Sequence, residues 1–102
     1  GPVASAIRAK LAAALEPTHL QVLDESWRHG AAPGVESHFS VVVVSSRFAG
    51  MALLQRHRLV HAALQAELAG PVHALAIVAK TPQQWENDPY VPPRPPCLGG
   101  SK

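Results

Sequence analysis

The sequence predicts a small α+β domain, a three-stranded sheet with helices packed on one face, in the order αββααβα. Three observations predict it. Residues 41–44 are four consecutive valines, which suits a strand buried at least in part on both faces. Apolar residues recur at helical spacing on either side of that strand: Val3, Ile7, Leu11 and Leu15 before it, Val60, Leu64 and Leu68 after it. The chain has 102 residues, enough for one domain and a modest core, and mixed strands and helices then segregate into two layers.

Each element has its own signals. The first helix covers residues 3–15, and Pro17 ends it by disfavouring helical geometry in the residue before it. Residues 19–26 alternate in part and form a first strand. Residues 27–35, with two glycines and a proline, form an irregular hairpin loop, longer than the usual connection of about two to five residues. Residues 36–45 form the valine strand. A tight helical turn at 48–51 leads into a helix over 53–68, which Gly70 and Pro71 stop. Residues 72–80 form the third strand. Thr81 caps a last short helix, with Pro82 at its first position. The domain therefore spans residues 1–86. From Asn87 to Lys102 the chain is proline-rich, without an apolar period, and reads as a disordered tail.

Composition narrows the function. Apolar residues make up 47% and aromatics only 5%, so the core is aliphatic. A net charge of +2 is too small to argue for nucleic-acid binding by itself. The one cysteine, Cys97, rules out an internal disulfide, and the chain cannot build an iron–sulfur or four-cysteine zinc site from its own thiolates. No segment approaches the roughly 18 apolar residues of a membrane span, so no membrane partner is expected. The chain begins at Gly1 rather than Met, which is compatible with a removed targeting segment.

Six histidines remain as candidate ligands: His19, His29, His38, His57, His61 and His73. Imidazole is the commonest neutral metal ligand, but a count is not a site. His73 opens the third strand, on the side of Leu75 and Ile77, and from spacing alone reads first as a hydrogen-bonded core histidine. His29, from its place in the loop alone, reads first as a solvated loop residue. His57 and His61 share one helix face, yet Arg58 stands where a metalloprotease pattern needs glutamate. His38 reads as a sheet residue. Asp24, Glu25 or Glu36 paired with a loop histidine would be an acid–base pair, but no activated nucleophile, phosphate loop or cofactor fingerprint accompanies them, so the chain reads as a non-enzyme.

Four blocks decide between these readings: Glu36-Ser37-His38-Phe39, Val44-Ser45-Ser46-Arg47-Phe48-Ala49-Gly50, Arg56-His57-Arg58-Leu59-Val60 and Val72-His73-Ala74-Leu75. In that order, across residues 3 to 87, they resemble the BolA family. The resemblance implies a class II KH-like fold. It also implies an adaptor of iron–sulfur cluster assembly that forms a heterodimer with a monothiol glutaredoxin. The pair would share a [2Fe–2S] cluster, with the two thiolates of the other iron supplied by the glutaredoxin cysteine and a bound glutathione. His73 matches the family's C-terminal histidine ligand. His29 matches the branch that places a histidine, rather than a cysteine, in the loop. Both are thus candidate metal and cluster ligands. The implied partner surface includes Arg56, His57, Val72 and Ala74. Branch resemblance further implies a mitochondrial location and a part in iron–sulfur protein maturation and thiol redox balance.

The competing class is a nucleic-acid-binding regulator. Residues 48–64 resemble a helix-turn-helix, and Arg47, Arg56 and Arg58 cluster there. A KH module grips its nucleic acid through a Gly-x-x-Gly loop, and Gly50-Met51-Ala52-Leu53 lacks the second glycine. The adaptor reading therefore ranks first.

Overall fold

A computed structural model describes residues 1–30, 32 and 34–89, without the side chains of Arg28 and His29. The elements are α1 (Pro2–Leu15), β1 (His19–Asp24), β2 (His38–Val44), α2 (Leu53–Ala63), α3 (Gln65–Ala69), β3 (Ala74–Lys80) and α4 (Pro82–Asn87). Short 3₁₀ turns at Ser26–His29 and Ser46–Phe48 join them. The expected tail lies outside the described residues from Tyr90 onward, Cys97 included.

The sheet order is β1-β2-β3. The β1–β2 pair is antiparallel, with Val22 opposite Val41. The β2–β3 pair is parallel, with Val41 opposite Ile77 and His38 opposite Ala74. This is the αββααβα order of a KH-like α+β fold. Parallel pairing brings the starts of β2 and β3 to the same end of the sheet.

Alternation divides the strands cleanly. Phe39, Val41, Val43 and Ala79 are buried on one face, with Leu20, Val22, Leu75 and Ile77 packed against them. Ile7, Leu11 and Leu15 of α1, Val60 of α2, Leu64, Phe48 and Val72 complete this core. Val42 and Val44 point the other way and are still 1% and 0% exposed, which is why the valine run does not alternate. On that second face Trp85 of α4 stacks on His19 of β1, with ring centroids 4.7 Å apart and planes 22° apart.

The helix expected over 53–68 bends at Leu64, whose φ of −107° and ψ of 21° leave helical geometry. Leu64 stays 1% exposed. Beyond the bend, Glu67 of α3 meets Lys10 of α1 at 2.6 Å.

Both ends of α1 are tied to β2 by side chains from far along the chain. The Val3 and Ala4 amides donate to the Glu36 carboxylate at 3.2 and 3.0 Å, satisfying two of the donors that a helix start leaves unpaired. At the other end the Ser45 hydroxyl donates to the Leu15 carbonyl at 2.6 Å. Arg47 donates to the Ala14 carbonyl and the Glu16 carboxylate at 2.6 and 2.7 Å. Glu16, at φ 47°, closes the helix in the left-handed region.

Candidate functional site

His38 opens β2, and His73 lies beside it just before β3. His73 lies one residue before β3 and is exposed. Its backbone N–H donates to the Ser37 carbonyl at 2.7 Å, so a β2-side anchor fixes its position. The His73 ring faces that of His38, with centroids 6.4 Å apart and a 35° tilt. His38 is half-buried, and its Nδ1 lies 2.9 Å from the Ser37 hydroxyl.

The loop that carries His29 starts from a braced base. The Asp24 carboxylate accepts from the Ser26 amide at 2.9 Å and from its hydroxyl at 2.6 Å. This is a side-chain turn that ends β1 two residues before the predicted limit of 26. Ser26 Oγ in turn accepts from the Ser37 and His38 amides at 2.8 and 3.1 Å. The 3₁₀ turn then runs from Ser26 to His29 and is closed by Gly30 at φ 75°. His29 is thereby held in chain next to the sheet end that bears His73. Its side chain, and residues Ala31 and Pro33, lie outside the described residues. Trp27 and Val35, on either side of this loop in the chain, are 46% and 47% exposed.

Two of the expected partner-surface residues do not face outward. Arg56 is buried, and its guanidinium is spent internally. Nε donates to the Met51 carbonyl at 2.9 Å, while Nη1 donates to the Ala79 carbonyl at 3.1 Å and to Gln84 Oε1 at 2.7 Å. The group also lies 5.8 Å from the centre of the Phe48 ring. Val72 is buried in the core, and its amide donates to the Glu67 carbonyl. Ala74 is exposed and His57 half-buried. His61, one turn along α2, is exposed.

The acidic residues are also committed. Asp24 braces the loop, Glu25 accepts from the Ser40 hydroxyl at 2.8 Å, and Glu36 caps α1. A cleft of about 660 Å³ lined by Ser46, Gly50, Arg56, Thr81 and Gln84, among others, lies toward the far end of β3 and holds no histidine. Among the described residues, no group of three or more His, Cys, Asp or Glu side chains is placed to hold a metal ion.

The donor set at the sheet end still fits a half-site. His73 offers an accessible imidazole on a fixed backbone, with His38 beside it and the His29 loop braced against the same amides. Sequence reasoning missed the adjacency of His38 to His73. His38 opens β2 and His73 lies just before β3, and only the parallel register shows that the two positions coincide.

A small KH-like domain with His38 and His73 side by side at one sheet end defines the class, and residues 11–84 match the BolA-like protein family. The chain belongs to the BolA family. It is similar to BolA-like protein 1 of Mus musculus, with 64% identity over 102 residues, covering 100% of this chain and 74% of that protein. The solution structure of mouse BolA1 matches with a TM-score of 0.84 and 63% identity, covering 97% of this chain and 80% of that one. The chain is also 48% identical over 94 residues to the DNA-binding transcriptional regulator BolA of Escherichia coli, covering 91% of this chain and 90% of that protein. Members of this family are regulators and adaptors, and the chain is not an enzyme.

Proposed function

We propose that this chain is an adaptor of iron–sulfur cluster assembly. It pairs with a monothiol glutaredoxin and contributes His73 and His29 to a [2Fe–2S] cluster shared across the heterodimer. The glutaredoxin cysteine and glutathione supply the thiolates. The carrying observation is the exposed His73 ring, fixed through its backbone to Ser37, on the sheet end where the His29 loop is anchored. When bound, such a cluster has two neutral imidazoles on one iron, which raises its potential above that of an all-thiolate centre and makes that end acid-labile. The chain's own part is to present the imidazoles, and the exposed Trp27 and Val35, to the partner. Likeness to vertebrate BolA-like protein 1 supports a mitochondrial place of action, in iron–sulfur protein maturation and thiol redox balance. The functional unit is residues 1–86.

The test is visible absorption and circular dichroism of the chain mixed with a monothiol glutaredoxin, glutathione, iron and sulfide. A spectrum distinct from the glutaredoxin homodimer, which reverts in a His29→Ala, His73→Ala double variant, is the expected result. An unchanged spectrum in the double variant rejects cluster ligation. His73→Ala is expected to weaken the cluster more than His29→Ala, because a strand start holds its residue more rigidly than a loop does. Equal loss rates contradict that ranking.

The name of the Escherichia coli relative supports a second reading, nucleic-acid binding. It ranks lower because Leu53 stands 64% exposed where a Gly-x-x-Gly loop needs glycine for close backbone approach. A salt-dependent mobility shift with DNA or RNA would move it to first place.

A further inference from the structure

We infer that Ser26 is a positioning residue for the histidine site. Its hydroxyl sets the spacing between the loop bearing His29 and the strand start bearing His73. This rests on the proposed cluster function and deepens it.

The hydroxyl is buried, with Ser26 2% exposed, and it is fully used. A serine hydroxyl offers one donor and two acceptor positions. The donor goes to Asp24 at 2.6 Å. Both acceptor positions are filled by amides of the neighbouring strand, Ser37 at 2.8 Å and His38 at 3.1 Å. Ser37 is itself 5% exposed, and its carbonyl receives the His73 amide at 2.7 Å and the Ala74 amide at 3.3 Å. One oxygen therefore links the base of the loop to residue 37, and residue 37 links to His73. The path from the His29 segment to His73 contains two hydrogen-bonded steps and no long side chain. The Glu25 amide, which donates to the His38 carbonyl at 2.8 Å, holds the same strand end but does not reach Ser37.

Removing the hydroxyl leaves two amides without their acceptor and frees the loop base to shift against β2. Ligand geometry is sensitive to such outer supports, whose loss typically costs about 10–100-fold in metal affinity. Ser45 provides the control. It is 0% exposed, and its hydroxyl also donates once and accepts once, to the Leu15 carbonyl at 2.6 Å and from the Arg47 amide at 3.1 Å. It sits at the other end of β2, away from the histidines.

The experiment compares the full chain with its Ser26→Ala, Ser26→Thr, Ser45→Ala and His29→Ala/His73→Ala variants, each assembled with a monothiol glutaredoxin, glutathione, iron and sulfide. Visible circular dichroism and the rate of cluster loss to a chelator are read. Amide hydrogen exchange is read on each chain alone. Ser26→Ala is expected to alter the dichroism and speed cluster loss by about tenfold or more, and to accelerate exchange at Ser37 and His38. Ser26→Thr keeps the oxygen and restores the parent values, and Ser45→Ala leaves the spectrum unchanged. Where Ser26→Ala does not fold, Asp24→Ala, at an exposed position, removes the acceptor that orients the hydroxyl and carries the same expectation. A Ser26→Ala spectrum and loss rate equal to the parent's, or an equal change in Ser45→Ala, overturns the inference. Reversion in the histidine double variant alone sinks this inference and leaves the proposed function standing. A parent-like spectrum in both sinks the two together.

Discussion

Arg56→Ala should unfold this domain's far end rather than weaken a partner. The side chain makes three hydrogen bonds, to the Met51 and Ala79 carbonyls and to Gln84 Oε1. Hydrogen bonds from a charged donor contribute about 1.5 kcal/mol each at the low end of their range. Three of them give about 4.5 kcal/mol before any compensation. Two share Nη1, and the site borders a cleft lined by Leu53, Lys80 and Asp88, among others, so water re-solvates part of what is lost. The expected cost is then about 3 kcal/mol, or a fall of about 12–24 °C in melting temperature for a domain of this size. Arg56→Lys should recover little, since an ammonium cannot reproduce the planar fork. Urea unfolding followed by far-UV circular dichroism measures it. A loss below about 1 kcal/mol together with weakened glutaredoxin binding would refute the reasoning and return Arg56 to the surface role that its sequence context suggests.

Two further outcomes follow from the ties on α1. Glu36→Ala removes the carboxylate that caps the Val3 and Ala4 amides and should cost about 1–2 kcal/mol, with Glu36→Gln losing less; thermal unfolding of the pair checks it, and equal stability of parent and Glu36→Ala contradicts it. The Lys10 ammonium, hydrogen-bonded to Glu67, holds that carboxyl below its ordinary value of 4.5, against the opposing push of burial. A folded-state value below the unfolded one stabilises the fold above the unfolded value, and that contribution disappears as pH falls through the folded value. Lys10→Met should therefore narrow its stability gap to the parent as pH drops below 4.5, and a gap that stays constant from pH 7 to pH 3 rules the pairing out.

The elements were legible because their signals are local. Proline at residue 17 and the valine run from 41 to 44 act through their own backbone and need no distant partner. The bend at Leu64 was not legible, because Leu64 and Leu68 both keep helical spacing and only packing against the sheet separates α2 from α3. Arg56 misled for a similar reason. An arginine amid His57 and Arg58 reads as solvated, and its acceptors Ala79 and Gln84 lie over 20 positions away. The pairing of His38 with His73 needed the parallel register, which no local pattern encodes. Glu36 looked like an acid–base candidate and is a helix cap from the other side of the fold.

The stacking of Trp85 on His19 has an optical consequence. The second tryptophan, Trp27, stands 46% exposed at the opposite end of the same sheet. The two indoles therefore sit in unlike surroundings, one against an imidazole and one in water beside the histidine loop. Replacing either with phenylalanine leaves a single emitter at a chosen end of the molecule. Emission from Trp27 then reports what approaches the histidines, while emission from Trp85 reports the release of α4.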